Sequence, residues 1–238
     1  MNAIKTRWGF IFVVTVMLVS AQTSASLAQN RLAPAVAPSP SQPVSANTAL
    51  LRKGTQLIDA GRLNDAIALF SDYCRNRPQD ASGFFWLGVC YDEMNNYQGA
   101  IQAYNDAIMR SQQSGMDSSE IRTNLANTLL KTNDIDQAIG VYKKALEINP
   151  LYALAYLNLG RAYLAKKDFD SAIKMFDKCD ELHFTARQLP YYRAKALLAL
   201  NRKEEAAATL QRLLLDLPEG ETKKSIQTEF ASCLSEQK

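Results

Sequence analysis

Small and apolar side chains recur at a nearly fixed interval along this 238-residue chain from residue 47 onward. A large side chain follows each member of the clearest column, an alanine, by four residues, and a glycine or alanine precedes it by twelve. Between these columns the apolar positions lie three or four residues apart, which is typical of amphipathic helices. The pattern predicts an all-α chain of about five helical hairpins. The alanine column, with steps of 34, 38, 34 and 34 residues, is Ala66, Ala100, Ala138, Ala172 and Ala206.

The columns also predict how the hairpins pack. A small residue such as Gly88 lets two antiparallel helices approach closely, and a large residue such as Tyr104 fills the space beside it. One hairpin cannot bury its own apolar face, so neighbouring hairpins must stack. A last helix with Ile226, Phe230, Ala231 and Leu234 on one side is expected to cap the stack. The expected hairpins span residues 47–80, 81–114, 119–152, 153–186 and 187–220, and the capping helix spans 221–238.

The second and fourth hairpins resemble the tetratricopeptide repeat family. The second has Phe84, Leu87, Gly88, Tyr91, Ala100, Tyr104 and Ala107, and the fourth has Tyr156, Leu159, Gly160, Tyr163, Ala172 and Phe176. The chain departs from the family where Lys53 and Arg193 replace a leucine, and where Gln112 and Phe184 replace a closing proline. The resemblance covers about residues 47–220. It implies a right-handed α-solenoid of five hairpins plus a C-terminal capping helix, with a concave groove that binds other proteins.

The resemblance further implies which residues contact a partner, because in the family the first helix of each hairpin lines the groove. An apolar end, a neutral hydrogen-bonding middle and a basic end are expected along it. The alternative for Phe85 and Trp86 is that they only complete the packing between hairpins. The expected lining is Phe85, Trp86, Val89, Asn124, Asn127, Asn158, Arg161, Tyr191, Tyr192 and Lys195.

The first 28 residues have the order of a cleavable signal peptide. Residues 1–9 carry two positive charges, residues 10–19 are apolar, and a small-x-alanine pattern ends at Ala28. Ten apolar residues are fewer than the roughly 20 that a membrane span needs. An uncleaved membrane anchor is the alternative. We therefore expect a periplasmic or secreted protein that is not inserted in the membrane after cleavage.

A proline-rich stretch over residues 29–46 follows and is expected to be a stiff, solvated spacer.

The charge balance adds little to the prediction of fold and function. The chain has 27 Lys and Arg against 24 Asp and Glu, and Lys5 and Arg7 would leave with the signal peptide. The remaining near-neutral balance gives no electrostatic footprint for nucleic acid.

Signals for catalysis are missing from the sequence. The single histidine, His183, is expected in a loop, and no metalloprotease, phosphate-loop or nucleophile-elbow motif occurs. The acidic pair Asp92 and Glu93 is interpreted as surface charge. Asp117 and Glu120 are expected to form a capping box at a helix start. We therefore expect no enzymatic activity, no cofactor and no metal site.

Four cysteines raise the question of disulfides in an oxidising compartment. Cys74 should face residues near 84 on the next helix, which places Cys90 about six residues, or ~9 Å, further along. That separation is too long for a disulfide. Cys179 occupies a column of small core residues, and Cys233 is near the C-terminus. Free, buried thiols are the prediction.

These patterns favour an exported, non-enzymatic scaffold or adaptor that binds a protein or peptide in its groove. The alternative is an accessory carbohydrate-binding or cell-wall-associated module, in which the aromatic side chains of the groove hold sugar.

Overall fold

The computed structural model describes residues 46–231, and the side chains from residue 47. All regular structure in this range is α-helical, which confirms the predicted fold class. The signal peptide and the spacer up to residue 45 lie outside the described residues. The helices are α1 (Ala46–Asp59), α2 (Leu63–Asn76), α3 (Ala81–Glu93), α4 (Tyr97–Gln113), α5 (Ser119–Lys131), α6 (Ile135–Ile148), α7 (Ala153–Lys166), α8 (Phe169–Glu181), α9 (Leu189–Ala199), α10 (Lys203–Asp216) and α11 (Glu221–Glu229).

The larger of two compact units spans Ser45–Leu210. From α1 to α9 each helix packs against the next along the chain, and α1, α3, α5, α7 and α9 also contact one another in succession. We call these five helices the first-helix row. Because each helix of the row touches the helix of the neighbouring hairpin, the unit is a stacked solenoid with this row along one side.

The small and large columns meet inside each hairpin as predicted. A Cβ atom added at Gly160 would lie 2.4 Å from Cε1 of Phe176, and one added at Gly88 would lie 2.6 Å from Cδ1 of Tyr104. Distances this short do not occur between real side chains, so at these two positions the ring lies as close to the first helix as it does because the residue is glycine. The two helices of a hairpin are therefore held at a separation set by one small and one large residue.

A further column, missed in the sequence, sets the turn between the two helices of each hairpin. One residue of each turn has a positive φ, between 58° and 71°. The backbone N–H of the next residue donates a hydrogen bond to a carbonyl in the last turn of the preceding helix. In the fourth hairpin, for example, Asp168 N lies 2.9 Å from Tyr163 O. This is the Schellman pattern, and asparagine and glycine adopt its left-handed position at low cost. The column is Gly61, Asn95, Asn133, Lys167 and Asn201.

The longer loop between the second and third hairpins differs from its prediction. Ser118, and not Asp117, caps α5, with its hydroxyl oxygen accepting from the Ile121 amide at 3.3 Å. Asp117 instead pairs with Arg122 at 2.6 Å, and Glu120 makes no capping bond in the described part of the chain. The expected capping box is wrong because the buried Arg122 guanidinium draws the Asp117 carboxylate away from the helix end.

Arg193, which replaces the family leucine, is accommodated by charge. Its Nη2 atom lies 2.7 Å from Oδ2 of Asp180 and 3.3 Å from Oδ1 of Asp177, both on α8. The departure from the family pattern is therefore compensated by two carboxylates of the preceding helix.

The described cysteines are buried, as predicted. Cys74 and Cys179 are free thiols, and burial raises the pKa of the first to about 11 and of the second to about 12. The Cys74 sulfur lies 2.7 Å from where a Cβ of Gly83 would be, which confirms that Cys74 faces the start of α3. Cys233 lies outside the described residues.

The described part of the smaller unit comprises residues 211–231, with the end of α10 and the whole of α11. Ile226 and Phe230 are buried as expected for a capping helix, whereas Ala231 is exposed. Leu234 lies outside the described residues.

Candidate functional site

The aromatic end of the first-helix row is half-buried. The rings of Trp86 and Phe70 stack with centroids 6.2 Å apart, and Phe85 lies edge-on to Trp86 at 5.1 Å. Val89 is only 8% exposed. Phe85 and Trp86 both pack against the core of the first two hairpins, so the packing named as the alternative is present for each of them. Each still exposes part of its ring to solvent.

Two asparagines of α5 lie half-buried in the middle of the row. Asn127 accepts a hydrogen bond from the Tyr142 hydroxyl through Oδ1, and Asn124 donates from Nδ2 to the Glu120 carbonyl at 3.0 Å. Neither the Nδ2 group of Asn127 nor Oδ1 of Asn124 bonds another residue in the described part of the chain. Each amide is held at one end, and its other end keeps a donor or an acceptor that no described residue uses.

Arg161 of α7 begins the basic end. Its Nη1 atom donates to Oδ1 of Asn158 at 3.0 Å, and its guanidinium lies 5.1 Å from the centroid of the Tyr192 ring on α9. The guanidinium is half-buried, and between residues 46 and 231 no carboxylate pairs with it. Asn158 and Tyr192 are buried themselves. They therefore hold Arg161 in place, and of these three side chains Arg161 is the most exposed to solvent.

The charge of Arg161, at the basic end of the row, acts on Tyr142, which holds Asn127 in the middle of the row. Burial raises the pKa of Tyr142, and the positive charge of Arg161 opposes that rise. On α9, Lys195 places its ammonium 5.3 Å from the centroid of the Tyr191 ring. Tyr191 is only 5% exposed. Like Tyr192, it supports a neighbouring cation and offers little surface of its own.

Asp92 was wrongly interpreted as surface charge. Its Oδ1 atom accepts from the Thr128 hydroxyl at 3.0 Å, and its Oδ2 atom pairs with Lys131 Nζ at 2.5 Å. These bonds join α3 to α5 across two hairpins. The sequence contained an indication that Asp92 is not ordinary surface charge. The equivalent positions of later hairpins are leucines, at residues 130, 164 and 198, so the aspartate interrupts an apolar column.

Glu120 was also missed as a member of this surface. It lies half-buried in the first turn of α5, and burial raises the pKa of its carboxyl. Its charge helps to raise the pKa of Tyr104 and of Tyr152, the latter to about 12. The side chain has no hydrogen bond or ion pair to any other described residue. The row thus carries an acidic group at the α3–α5 step that the sequence analysis did not place there.

Candidates for catalysis or metal binding are not brought together. Residues 46–231 contain no group of three or more His, Cys, Asp or Glu side chains placed to hold a metal ion. His183 is exposed in the turn after α8, with φ at 52°. None of the helices in the described range has the length and apolar character needed to cross a membrane.

Comparison with protein families gives a match to most of the solenoid. A family model described as tetratricopeptide repeat matches residues 51–115 and 123–181, and a second model of that description matches residues 191–219.

Similarity to individual proteins is weaker. A probable UDP-N-acetylglucosamine–peptide N-acetylglucosaminyltransferase, SPINDLY of Hordeum vulgare, is 28% identical over 134 residues, which is 55% of this chain and 14% of that protein. The photosystem I assembly protein Ycf3 of Synechococcus sp. (strain CC9605) is 27% identical over 120 residues, or 48% of this chain and 69% of that protein. This chain spans well under half the length of several curated relatives that it matches.

Among solved structures, a thermophilic TPR protein of Thermus thermophilus superposes with a TM-score of 0.59 at 23% identity. The match covers 80% of this chain and all of that one. At such identity the likeness shows the fold alone.

Proposed function

Because this chain belongs to the tetratricopeptide repeat family, we propose that it is an exported, non-catalytic scaffold that binds an extended segment of a partner protein along its first-helix row. Proteins of this family generally mediate protein–protein interaction. The assembly role in the name of the Synechococcus relative is in line with such a function. The export part of the proposal rests on residues 1–28 of the sequence.

The observation that carries the binding proposal is the state of Arg161. A half-buried guanidinium is normally paired with a carboxylate, because removing a lone charge from water is costly. Arg161 has only the neutral Asn158 oxygen and the Tyr192 ring as partners among the described residues. These two groups orient the guanidinium and leave its remaining donors for an acidic group of a ligand. Arginine binds a carboxylate through two parallel hydrogen bonds.

The rest of the row fits an extended peptide. The Nδ2 group of Asn127 and Oδ1 of Asn124 supply one donor and one acceptor, which match the carbonyl and amide groups of an unpaired peptide backbone. The exposed edges of Phe85 and Trp86 offer a contact for an apolar side chain of the same segment. Trp86 is a poor residue for testing this, since its ring also stacks on Phe70 and its removal would disturb the core.

Selection of peptides on the purified chain tests the binding proposal. Helices that pack side by side lie about 8–10 Å apart, so α3 to α9 span roughly 30 Å. An extended peptide of about twelve residues reaches ~40 Å, and a random library of that length displayed on phage is therefore suitable. A selected synthetic peptide is then titrated into the isotope-labelled chain, and amide chemical shifts are recorded.

The proposal predicts that the largest shift changes fall on α3, α5, α7 and α9. Changes confined to the second helices α4, α6 and α8 would contradict it, and so would a library from which the chain retains no sequence above background.

Export is tested separately, by the intact mass of the chain recovered from outside the cytoplasm of its native host. A mature protein that starts near Gln29 is expected. Recovery of a chain that retains residues 1–28 would overturn cleavage, and recovery only from the cytoplasm would overturn export.

A further inference from the structure

The first helices α7 and α9 contain no acidic residue, and their charged residues are all cations. These are Arg161 and Lys166 on α7, and Arg193 and Lys195 on α9. Lys166 and Arg193 form ion pairs with carboxylates of the second helices α6 and α8. Arg161 and Lys195 instead lie beside tyrosine rings of α9. The α7–α9 end of the row therefore carries positive charge that its own two helices do not balance.

Arg161 and Lys195 occupy equivalent positions of neighbouring hairpins. They are 34 residues apart, which is the repeat interval, and the two helices that carry them contact each other. The Arg161 guanidinium lies 5.1 Å from the centroid of the Tyr192 ring, and the Lys195 ammonium lies 5.3 Å from that of Tyr191. The two rings pack edge to face with centroids 5.3 Å apart. A continuous series of contacts therefore joins the two cations.

The tyrosine pair restricts where the two charges lie. Tyr191 and Tyr192 are buried, whereas Arg161 and Lys195 are half-buried. A long cationic side chain loses rotamer freedom when it rests on a ring, and the attraction between the cation and the π face offsets part of that cost. Arg161 is further held by its hydrogen bond to Asn158. The two charges are therefore held at a defined separation along the row.

That separation suits a particular spacing of acidic residues in an extended segment. Helices that pack side by side lie about 8–10 Å apart, and a segment along the row crosses from α7 to α9. In an extended chain alternate side chains point to the same side and lie about 7 Å apart, whereas adjacent side chains point to opposite sides. The flexible ends of arginine and lysine side chains accommodate the small difference. Two acids separated by one residue therefore match the two cations.

We propose that Arg161 and Lys195 form a subsite for two acidic side chains of the bound segment that are separated by one residue. The Arg161 guanidinium donates to one carboxylate, and the Lys195 ammonium donates to the other. Both carboxylates belong to side chains, so the free C-terminus of a partner is not required. This subsite rests on the proposed function, to which it adds a second cation and a fixed spacing of the two acids.

The experiment uses the synthetic peptide selected on the wild-type chain, with an amidated C-terminus. Replacement of each of its acidic residues by the corresponding amide, measured on the wild-type chain and on Arg161→Gln, identifies the acid that Arg161 binds. Isomers of the peptide then carry a second aspartate one, two or three residues before or after that acid, in an otherwise constant sequence of equal net charge.

Calorimetry measures the affinity of every isomer for the wild-type chain, for Lys195→Gln and for Lys144→Gln. Lys144 is an exposed cation on α6, away from the row, and its variant is the matched control. Circular dichroism establishes that each variant is folded.

The subsite predicts that one isomer is preferred. The isomer with one residue between the acids, on one side of the first acid, should bind the wild-type chain about tenfold or more tightly than the isomers with none or two between them. In Lys195→Gln the preference should fall below about twofold, because the second carboxylate loses its donor. Lys144→Gln should keep the wild-type preference. General attraction of a negative peptide does not produce this result, since all the isomers have the same charge.

Isomers that bind the wild-type chain equally well overturn the subsite, and so does a preference that persists in Lys195→Gln. Either result leaves the proposed function standing when the peptide still shifts the amide signals of the first-helix row. A selected peptide that does not perturb the row, or that contains no acid sensitive to Arg161→Gln, overturns both. If Lys195→Gln fails to fold, the comparison of isomers on the wild-type chain decides.

Discussion

Tyr142 donates a hydrogen bond from its hydroxyl to Oδ1 of Asn127. The bond connects the fully buried ring on α6 to the half-buried Asn127 on α5 within one hairpin, and it fixes the orientation of an amide on the first-helix row. Tyr104, one hairpin earlier, has Val89 at that place and forms no such bond to a described residue.

The contrast predicts unequal outcomes for two identical substitutions. Tyr142→Phe should lower the free energy of unfolding by about 0.5–1.5 kcal/mol, because Asn127 loses a hydrogen-bond partner. Tyr104→Phe should change the free energy of unfolding by less, since the Tyr104 hydroxyl forms no hydrogen bond to another described residue. Urea unfolding followed by circular dichroism measures both. Equal losses in the two variants would mean that the Tyr104 hydroxyl has an acceptor in solution.

Two glycines provide a matched test of the hairpin packing. Gly160→Ala should destabilise by about 1–3 kcal/mol, because the new Cβ would meet the Phe176 ring at 2.4 Å. Gly140 lies on the exposed side of α6 with nothing within 4 Å of a Cβ, so Gly140→Ala should stabilise by about 0.5–1 kcal/mol through helix propensity alone. Thermal unfolding of the two variants should shift in opposite directions. A shift in the same direction would refute the assigned packing.

The turn column predicts that one position is strained. Lys167 is the one member among the five turns that is neither glycine nor asparagine, and its φ is 65°. Lys167→Gly should raise the free energy of unfolding by about 1 kcal/mol, because the left-handed conformation is costly for a residue with a long side chain. Asn201→Gly is the control and should change stability by less, since asparagine already tolerates this conformation. A destabilised Lys167→Gly chain would show that the lysine makes a contact that outweighs the strain.

The columns that predicted this fold are those in which side-chain size alone decides the packing. Gly88 and Tyr104 must meet once their helices are antiparallel, so the spacing between them was sufficient. The turn column was equally regular, but its meaning depends on a backbone dihedral angle, and Lys167 obscures the asparagine and glycine preference. The loop cap at Ser118 could not be predicted, because the competition between Arg122 and the helix end for Asp117 is settled only in three dimensions.

Acid should weaken the chain in part through Asp117. The ion pair and hydrogen bonds with Arg122 hold the pKa of this carboxyl below its ordinary value. A folded-state pKa that is lowered gives stability that is complete above the unfolded-chain pKa near ~3.9 and is lost as the pH falls through the folded value. Asp117→Asn should therefore be less stable than wild type by about 1–3 kcal/mol at pH 6, and the gap should close as the pH falls below about 4.

Asp72→Asn is the matched control for that measurement. Asp72 pairs with Arg75 in the open, where both side chains are more than half exposed, and such pairs contribute less than about 1 kcal/mol. Asp80, whose carboxyl also has a lowered pKa, is unchanged in both variants and cancels in the comparison. A gap for Asp117→Asn that is independent of pH would show that the carboxylate charge is not what stabilises the loop.

The candidate site was predictable in its placement but less so in its chemistry. The repeat register put Asn127, Asn158 and Arg161 on first helices, because equivalent positions share a face. The register could not show that Asn158 is buried and accepts a hydrogen bond from Arg161, since that depends on how the two side chains pack in three dimensions. Glu120 escaped notice because its partial burial in the first turn of α5 depends on how the neighbouring helices pack around it.

The affinity of a selected peptide for Arg161→Gln tests the central claim most directly. Arg161 is the cation of the row that no described carboxylate satisfies, and glutamine keeps much of its length without the charge. Lys144→Gln is the control, because Lys144 is an exposed cation on α6, away from the row. By calorimetry at low salt, Arg161→Gln should bind at least about tenfold more weakly than wild type while remaining folded, and Lys144→Gln should bind as wild type does. A folded Arg161→Gln chain that binds the peptide as tightly as wild type would contradict binding along the first-helix row.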